Sequence, residues 1–511
     1  MDGAQSGDNE EYGPFGRPLF NDPKAKALSR VGTIDVGSNS VRLVVFDGAA
    51  RSPAYFYNEK IMAGLGADMR ETGRLSVEGR ARALSALKRF ALLCKGMNVS
   101  PMTAVATAAV RDAEDGPEFC EEVARETGIN LWVASGTEEA RLSAQGVFLG
   151  WPEAQGLMCD IGGSSMELAE VGDGVVGKRV TSELGPLKLM GMKGGHKARK
   201  AVIDATITDL RDDMPRDYKT IYLVGGSWRA LARLDMERRG YPLKVLHEYR
   251  MTSKSVLQTV KWIRGKSVDE LRAITGNSEA RMRLVPIAAQ VLKSLIQRFK
   301  PEALATSSYG IREGLLYEQM PFELKRRDPL IEACRWDEAK NARIPGFGRQ
   351  LHKFLAPIFG KVPHERARLI RAACLLHDVS WRAHPDYRAE VCFDNATRAN
   401  LGGLDHAGRI FLGVALLHRY KNSRDGTRFD DLFGLLPPKD LKRAEILGKA
   451  MRFGAMFSVE RPELMGELKW QPKKRVLTFE LHPETKGLFG EVAQARLNSL
   501  AASLEADIVV K

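Results

Sequence analysis

Apolar positions along the chain change their spacing several times, and each change marks an element. VGTIDVGSNSVRLVVFD, Val31 to Asp47, reads as strand, tight turn, strand, because β-rich flanks enclose a Gly-Ser-Asn centre. Ordered structure is expected from about Ser29. The spacing of Val77, Leu84, Leu87, Phe90 and Leu93 predicts an amphipathic helix between Ser76 and Cys94. MTAVATAAVRDA predicts a buried strand ending at Thr107 and then a helix carrying Arg111, and INLWVASG predicts a further strand. Ser135 and Glu138 fit the S-x-x-E capping box, so a helix should begin at about Gly136. Leu157 to Cys159 end another buried strand, a Gly-Gly turn interrupts IYLVGGSWRALARLD at Gly225 and Gly226, and Met282 to Phe299 is helical again. After about Phe322 the chain becomes charged and helix-prone, with no strong strand expected before VLTFEL at Val476, which can pair with ADIVV.

One similarity inside the chain organises its first half. IDVGSNSVRLVVF from Ile34 and CDIGGSSMELAEV from Cys159 lie 125 residues apart and share D-[VI]-G-[SG]-[NS]-S, an ionic residue (Arg42, Glu167) and a leucine. Two facing copies of one strand-turn-strand unit account for this.

Composition narrows the setting. A chain of 511 residues exceeds one hydrophobic core and should divide into several domains. Its 77 basic and 64 acidic residues leave a formal charge of +13, which suits a polyanionic partner without choosing among nucleic acid, polyphosphate and an acidic membrane surface. The six cysteines show no C-x-x-C spacing and fit a reducing cytoplasm. No apolar run is long enough to span a bilayer, and the first residues read as a Gly- and Pro-rich tail rather than a signal peptide.

The repeated unit carries the candidate chemistry. Consecutive backbone N–H groups in a Gly/Ser turn form an anion-binding concavity, and Gly37, Ser38, Asn39 and Ser40 in one copy and Gly162, Gly163, Ser164 and Ser165 in the other have that character. Each turn is also what an ordinary hairpin would use. The acids beside them, Asp35 and Asp160, would repel a phosphate charge about 4 Å away by about 4 kcal/mol at an effective dielectric near 20. A divalent cation removes that penalty, and Mg²⁺ typically takes one or two carboxylates and several waters.

TIDVGSNSVRL, ATAAVRDA, SGTEEARL, DIGGSSMEL, LVGGSWRALA and SSYGIREGLL occur in the order and spacing of the exopolyphosphatase and guanosine pentaphosphate phosphohydrolase family, which this chain resembles from about Val31 to Tyr317. The resemblance implies an α/β fold of two RNase H-like (actin-like ATPase) domains with an interdomain cleft. It also implies a mostly helical, HD-like C-terminal domain. On this basis the chain is expected to comprise a flexible tail (1–28), two RNase H-like domains (29–146 and 147–321), a helical HD-like domain (322–440) and a small mixed segment (441–511). The family's catalytic base falls on Glu139 and its phosphate-clamping arginine on Arg111. Glu138 occupies the capping position, which leaves Glu139, turned roughly 100° around the helix, free to face the cleft. Asp160 and Glu167 match the family's acids and are assigned, with Asp35, to Mg²⁺. Gly225 and Gly226 resemble a third phosphate turn. The sequence departs from the family pattern at Ser164 and Met166.

The implied activity is release of orthophosphate from polyphosphate ends, with guanosine pentaphosphate as a further substrate and a homodimer as the assembly. A small-molecule kinase of the same fold is the alternative enzyme, and a non-catalytic polyanion or nucleotide sensor the alternative outside enzymes. No nucleic-acid-binding motif is present. In the helical third, His377 and Asp378 resemble the vicinal pair of HD-type metal phosphohydrolases, with His352, His406 and His418 as further candidate ligands. A retained structural pair is the other reading. The basic run Lys469 to Val476 reads as a solvated face or an anion track.

Overall fold

In the computed structural model, which describes residues 26–457 and 462–511, the chain forms two compact units, Met1–Arg327 and Asp328–Lys511. The expected tail lies outside the described residues up to position 25, and the first strand begins at Ala27, just ahead of the expected Ser29.

Two sheets built on one plan make up the first unit. β1 (Ala27–Val36), β2 (Val41–Ala49) and β3 (Pro53–Ile61) form an antiparallel meander, and β4 (Met102–Ala106) and the short β5 (Trp132–Val133) continue in parallel on the other side of β1. β6 (Gly156–Ile161), β7 (Met166–Gly172) and β8 (Val175–Ser182) repeat the meander. β9 (Thr220–Val224) lies parallel to β6, and β10 (Tyr249–Thr252) pairs antiparallel with β11 (Ala303–Thr306), which is parallel to β9. The similarity read from the sequence is thus an equivalence of position. Asp35 pairs with Arg42 across one hairpin and Asp160 with Glu167 across the other. Each turn closes with the same bond, Gly37 N–H to the Ser40 carbonyl and Gly162 N–H to the Ser165 carbonyl, both 3.0 Å.

The helices fill in between. α1 (Val77–Gly96) starts where the Ser76 hydroxyl accepts from Gly79 N–H, α2 (Ala108–Asp112) follows β4, and α3 (Gly136–Gly150) precedes β6. Among the other helices of the unit, α4 (Gly226–Arg238), α5 (Glu279–Phe299) and α6 (Ile311–Glu318) bear on the site. Strand β6 is apolar on both faces. Leu157, Cys159 and Ile161 enter a core with α4 and α5, while Met158 joins Val147, Phe148, Val44, Phe46 and Leu316 in a core that both sheets share through α3 and α6. Glycine sets the closeness of that helix pair: a Cβ at Gly314 would lie 1.8 Å from the Leu142 carbonyl oxygen, and one at Gly146 2.3 Å from that of Gly310.

The second unit is mostly helical: α7 (Pro329–Asn341), α8 (Phe347–Phe359), α9 (His364–Leu376), α10 (Arg388–Arg398), α11 (His406–Tyr420), α12 (Pro438–Gly454) and α13 (Glu491–Leu504). A small sheet accompanies them. β12 (Glu467–Gln471) pairs antiparallel with β13 (Val476–Glu480), which pairs in parallel with β14 (Asp507–Val510), the partnership expected of VLTFEL and ADIVV. β12 adds a short, mostly exposed strand where no strong strand was expected before Val476. Its ELKWQ sequence buries only Leu468 fully, so its alternation is too weakly apolar to be seen. The basic run Lys469 to Val476 is the end of this strand, the turn and the start of the next. Among the described residues no helix is long and apolar enough to cross a membrane.

Candidate active site

Parallel strands present their C-terminal ends to ligands in open α/β sheets, and this chain places its Gly/Ser turns there. Gly37 to Ser40 follow β1, Gly162 to Ser165 follow β6, and Gly225 and Gly226 follow β9. Together they frame a cavity of about 480 Å³ that Asp35, Glu139, Asp160 and Glu167 also line. Gly225 has φ +110°, and a Cβ there would meet the Ile161 carbonyl oxygen at 2.5 Å, so a side chain would push α4 off β6.

The two departures from the family pattern are accommodated differently. Ser164 is outside the left-handed backbone region and its hydroxyl donates to Ser38 Oγ at 3.5 Å, from one turn to the other. Met166 is fully buried in the core behind the turn, where its bulk is packing rather than chemistry.

Glu139 owes its direction to the start of α3. The Ser135 hydroxyl accepts from Glu138 N–H at 3.2 Å, which is half of the expected capping box. The reciprocal half is absent, because the Glu138 carboxylate is held by Arg141 Nη2 at 2.7 Å and faces Arg179. Glu139 points instead into the cavity, 12% exposed, and accepts from Arg111 Nη1 at 2.6 Å. Burial pushes its carboxyl up to about 7, against the pull of Arg111 and with help from Asp160 and Asp35. Arg111 reaches this acid from α2 and also donates to Asp112 and the Ala134 carbonyl.

The remaining acids differ in their partners. Asp35 accepts from Arg312 Nη1 at 2.9 Å, an internal counter-charge for a residue expected to hold metal. Asp160 accepts from the Ser143 hydroxyl at 2.5 Å, and burial raises its carboxyl despite that bond and nearby Arg229. Glu167, 3% exposed, accepts from Thr181 at 3.2 Å and is raised well above the usual range by burial, then by Glu139 and Asp160. Asp160 and Glu167 are thus hard oxygen donors whose partners are hydroxyls, and they repel one another. That donor set fits Mg²⁺. Among the described residues no group of three or more His, Cys, Asp or Glu side chains is arranged to hold a metal ion.

Sequence reasoning missed the cations. Arg42, Lys60, Arg229, Arg281 and Arg312 all line the cavity. Burial, then Arg281 and Arg42, bring the Lys60 ammonium down to about 8, and burial followed by Arg312 brings Arg229 down to about 10. Arg229 and Arg312 lie inside motifs already singled out, LVGGSWRALA and SSYGIREGLL, so their distance from the glycines was a usable signal. Lys60 is brought in by its register opposite Arg42, which no local pattern encodes.

Anion turns at the strand ends, paired acids and a ring of cations define a phosphoryl-handling enzyme on a duplicated RNase H-like, actin-like fold. The chain belongs to the Ppx/GppA phosphatase family, which it matches over residues 44–323, and residues 341–507 match the family described as exopolyphosphatase, C-terminal. Among curated relatives, exopolyphosphatase 1 of Mycobacterium tuberculosis is 26% identical over 312 residues, covering 58% of this chain and 89% of its own. Retrograde regulation protein 2 of Saccharomyces cerevisiae is 23% identical over 454 residues, covering 78% and 74%. Solved structures with a similar fold include two that cover over half of this chain. An exopolyphosphatase from Cytophaga hutchinsonii has TM-score 0.53 and 23% identity, covering 57% of this chain and 98% of that one. The Aquifex aeolicus Ppx/GppA family member has TM-score 0.51 and 23% identity, covering 57% and 97%. The chain is accordingly a phosphatase.

Proposed function

We propose that the protein is an exopolyphosphatase that releases orthophosphate from the ends of inorganic polyphosphate. The observation that carries this reading is a buried carboxylate, Glu139, held by Arg111 at the edge of a cavity framed by three anion-binding turns. The backbone amides of Ser38 to Ser40 and Gly163 to Ser165, in turns closed by the Gly37 and Gly162 amides, take the oxygens of the terminal phosphoryl group, and Gly225 and Gly226 bring the start of α4 to the same group. Glu139 Oε2, the oxygen not bonded to Arg111, accepts the proton of a water aligned for in-line attack. Arg111 fixes the rotamer of this base. Arg42, Lys60 and Arg281 hold the oxygens of the part of the chain that is not transferred. Mg²⁺ would be held by Asp160 and Glu167, where it supplies charge neutralisation to the phosphoryl oxygens.

Guanosine pentaphosphate, whose hydrolysis the family name includes, presents the same terminal phosphoryl chemistry and is proposed as a second substrate. The deciding assay measures orthophosphate from long-chain polyphosphate and from guanosine pentaphosphate, side by side, with Mg²⁺ and no acceptor. Glu139→Gln should lower turnover by about 10² to 10⁴-fold. Absence of release by the wild type on both substrates, or undiminished release by Glu139→Gln, would overturn the proposal.

A further inference from the structure

Helix α3 carries more than the proposed base. Ser143 lies four residues after Glu139, one turn further along the same face, and both line the cavity. Its side chain is almost sealed, 1% exposed, and its hydroxyl donates to Asp160 Oδ2 at 2.5 Å, from the helix to the end of β6. The other oxygen, Oδ1, lies on the side of the third turn, where a Cβ built on Gly225 would come within 3.0 Å of it. The two oxygens of Asp160 are therefore divided, one fixed to α3 and one left at the turn.

The chemistry of the holder sets Asp160 apart from the other candidate acids. Asp35 is bonded to the Arg312 guanidinium. Asp378, the acid of the His-Asp pair in the helical unit, is gripped through both oxygens by Arg343, Nε to Oδ2 at 2.8 Å and Nη2 to Oδ1 at 2.6 Å. A guanidinium orients a carboxylate but brings a full positive charge with which a cation must compete. A hydroxyl supplies one donor and no net charge, so Ser143 sets the orientation of Asp160 without neutralising it. Arg229 is a neighbour of Asp160, but its Nη1 donates to the Ser307 carbonyl at 3.3 Å.

The holder is also stiff. Ser143 lies between Leu142, whose carbonyl oxygen would be 1.8 Å from a Cβ at Gly314, and Gly146, where a Cβ would be 2.3 Å from the Gly310 oxygen. This stretch of α3 is clamped against α6, so the donor has little freedom to follow a carboxylate that turns away.

We infer that Ser143 is a positioning residue, whose hydroxyl holds Asp160 Oδ2 so that Oδ1 is presented to the divalent cation. It also ties that carboxylate to the helix bearing Glu139. This role rests on the Mg²⁺-assisted hydrolysis proposed for the cleft.

The test uses the full-length protein without substrate and titrates Mn²⁺, a paramagnetic substitute for Mg²⁺, with free ion read by electron paramagnetic resonance. The binding that Asp160→Asn removes is the cleft site. Ser143→Ala should weaken that binding by about 10 to 100-fold and melt close to the wild-type temperature. In turnover, the Mg²⁺ concentration giving half-maximal orthophosphate release should rise by a similar factor, with KM for polyphosphate at saturating Mg²⁺ little changed. Should Ser143→Ala fail to fold, Ser143→Cys, close in shape but a weak donor, gives the same measurements. A serine that only packs the helix would leave Mn²⁺ affinity where it was, and unchanged affinity in a folded variant overturns the inference. So does wild-type Mn²⁺ binding that Asp160→Asn leaves intact. Orthophosphate release is measured on the same samples. Mn²⁺ binding weakened by Ser143→Ala, without release by the wild type, upholds the role of Ser143 and overturns the exopolyphosphatase reading. Release with Mn²⁺ affinity unaffected by Ser143→Ala does the reverse.

Discussion

Glu139, raised to about 7, and Lys60, lowered to about 8, bound a narrow pH window, and their roles give the reaction its pH dependence. The base must be ionised, and its carboxyl is at about 7, so kcat/KM on polyphosphate should fall as pH drops through about 7. Lys60 must be charged, and its ammonium is at about 8, so kcat/KM should fall again as pH rises through about 8. Lys60→Met should abolish the alkaline limb and raise KM more than it lowers kcat, as expected of a residue that binds the untransferred chain. A steady-state pH profile of both proteins checks this. The acids and turns of the site were legible because they are repeated, and a repeat with unusual residues stands out from composition. The cations were not, since a cleft arginine and a surface arginine look alike until the backbone places them.

At the scale of elements, the two hairpins and their turns were written plainly in alternating apolar residues, and Ser135 marked the start of α3. What the sequence concealed was competition. Glu138 could have closed a capping box, but Arg141 offers it a charged partner, and the ion pair wins. β12 was hidden because an edge strand of mostly exposed residues carries little apolar signal. The crossing of α3 and α6 was likewise invisible, since a glycine demanded by a distant backbone resembles any helix-weakening glycine. Gly314→Ala should destabilise the first unit by about 1 to 3 kcal/mol or more, because its Cβ would lie 1.8 Å from the Leu142 oxygen. Thermal melting of the variant measures it, and an unchanged melting temperature would contradict the packing described.

At the scale of the whole chain, two units with separate cores should unfold in two calorimetric transitions, only one of which Gly314→Ala lowers. Their pH responses should have opposite signs. Glu139 is raised from 4.5 to about 7, so the folded first unit binds the extra proton, and its contribution is lost as pH rises between those values. His377 and His418 are lowered from 6.5 to about 4, so the folded second unit refuses protons that the unfolded chain accepts, and stability is lost as pH falls across that window. From pH 7 toward 5 the first transition should therefore move up and the second down, a divergence visible in scans at several pH values. Glu139→Gln should reduce the first shift to the part that Asp160 and Glu167 carry, and leave the second.

The duplicated turns also give the cleft a polarity. Asp35 arrives with its counter-charge supplied by Arg312, whereas its counterpart Asp160 is bonded to a serine hydroxyl, with Arg229 only as a neighbour. The two halves share a backbone plan but are no longer interchangeable, and exchanging their turn sequences would not exchange their roles. A linear phosphoanion lying along the line between them meets a different partner at each end, so the site has a front and a back.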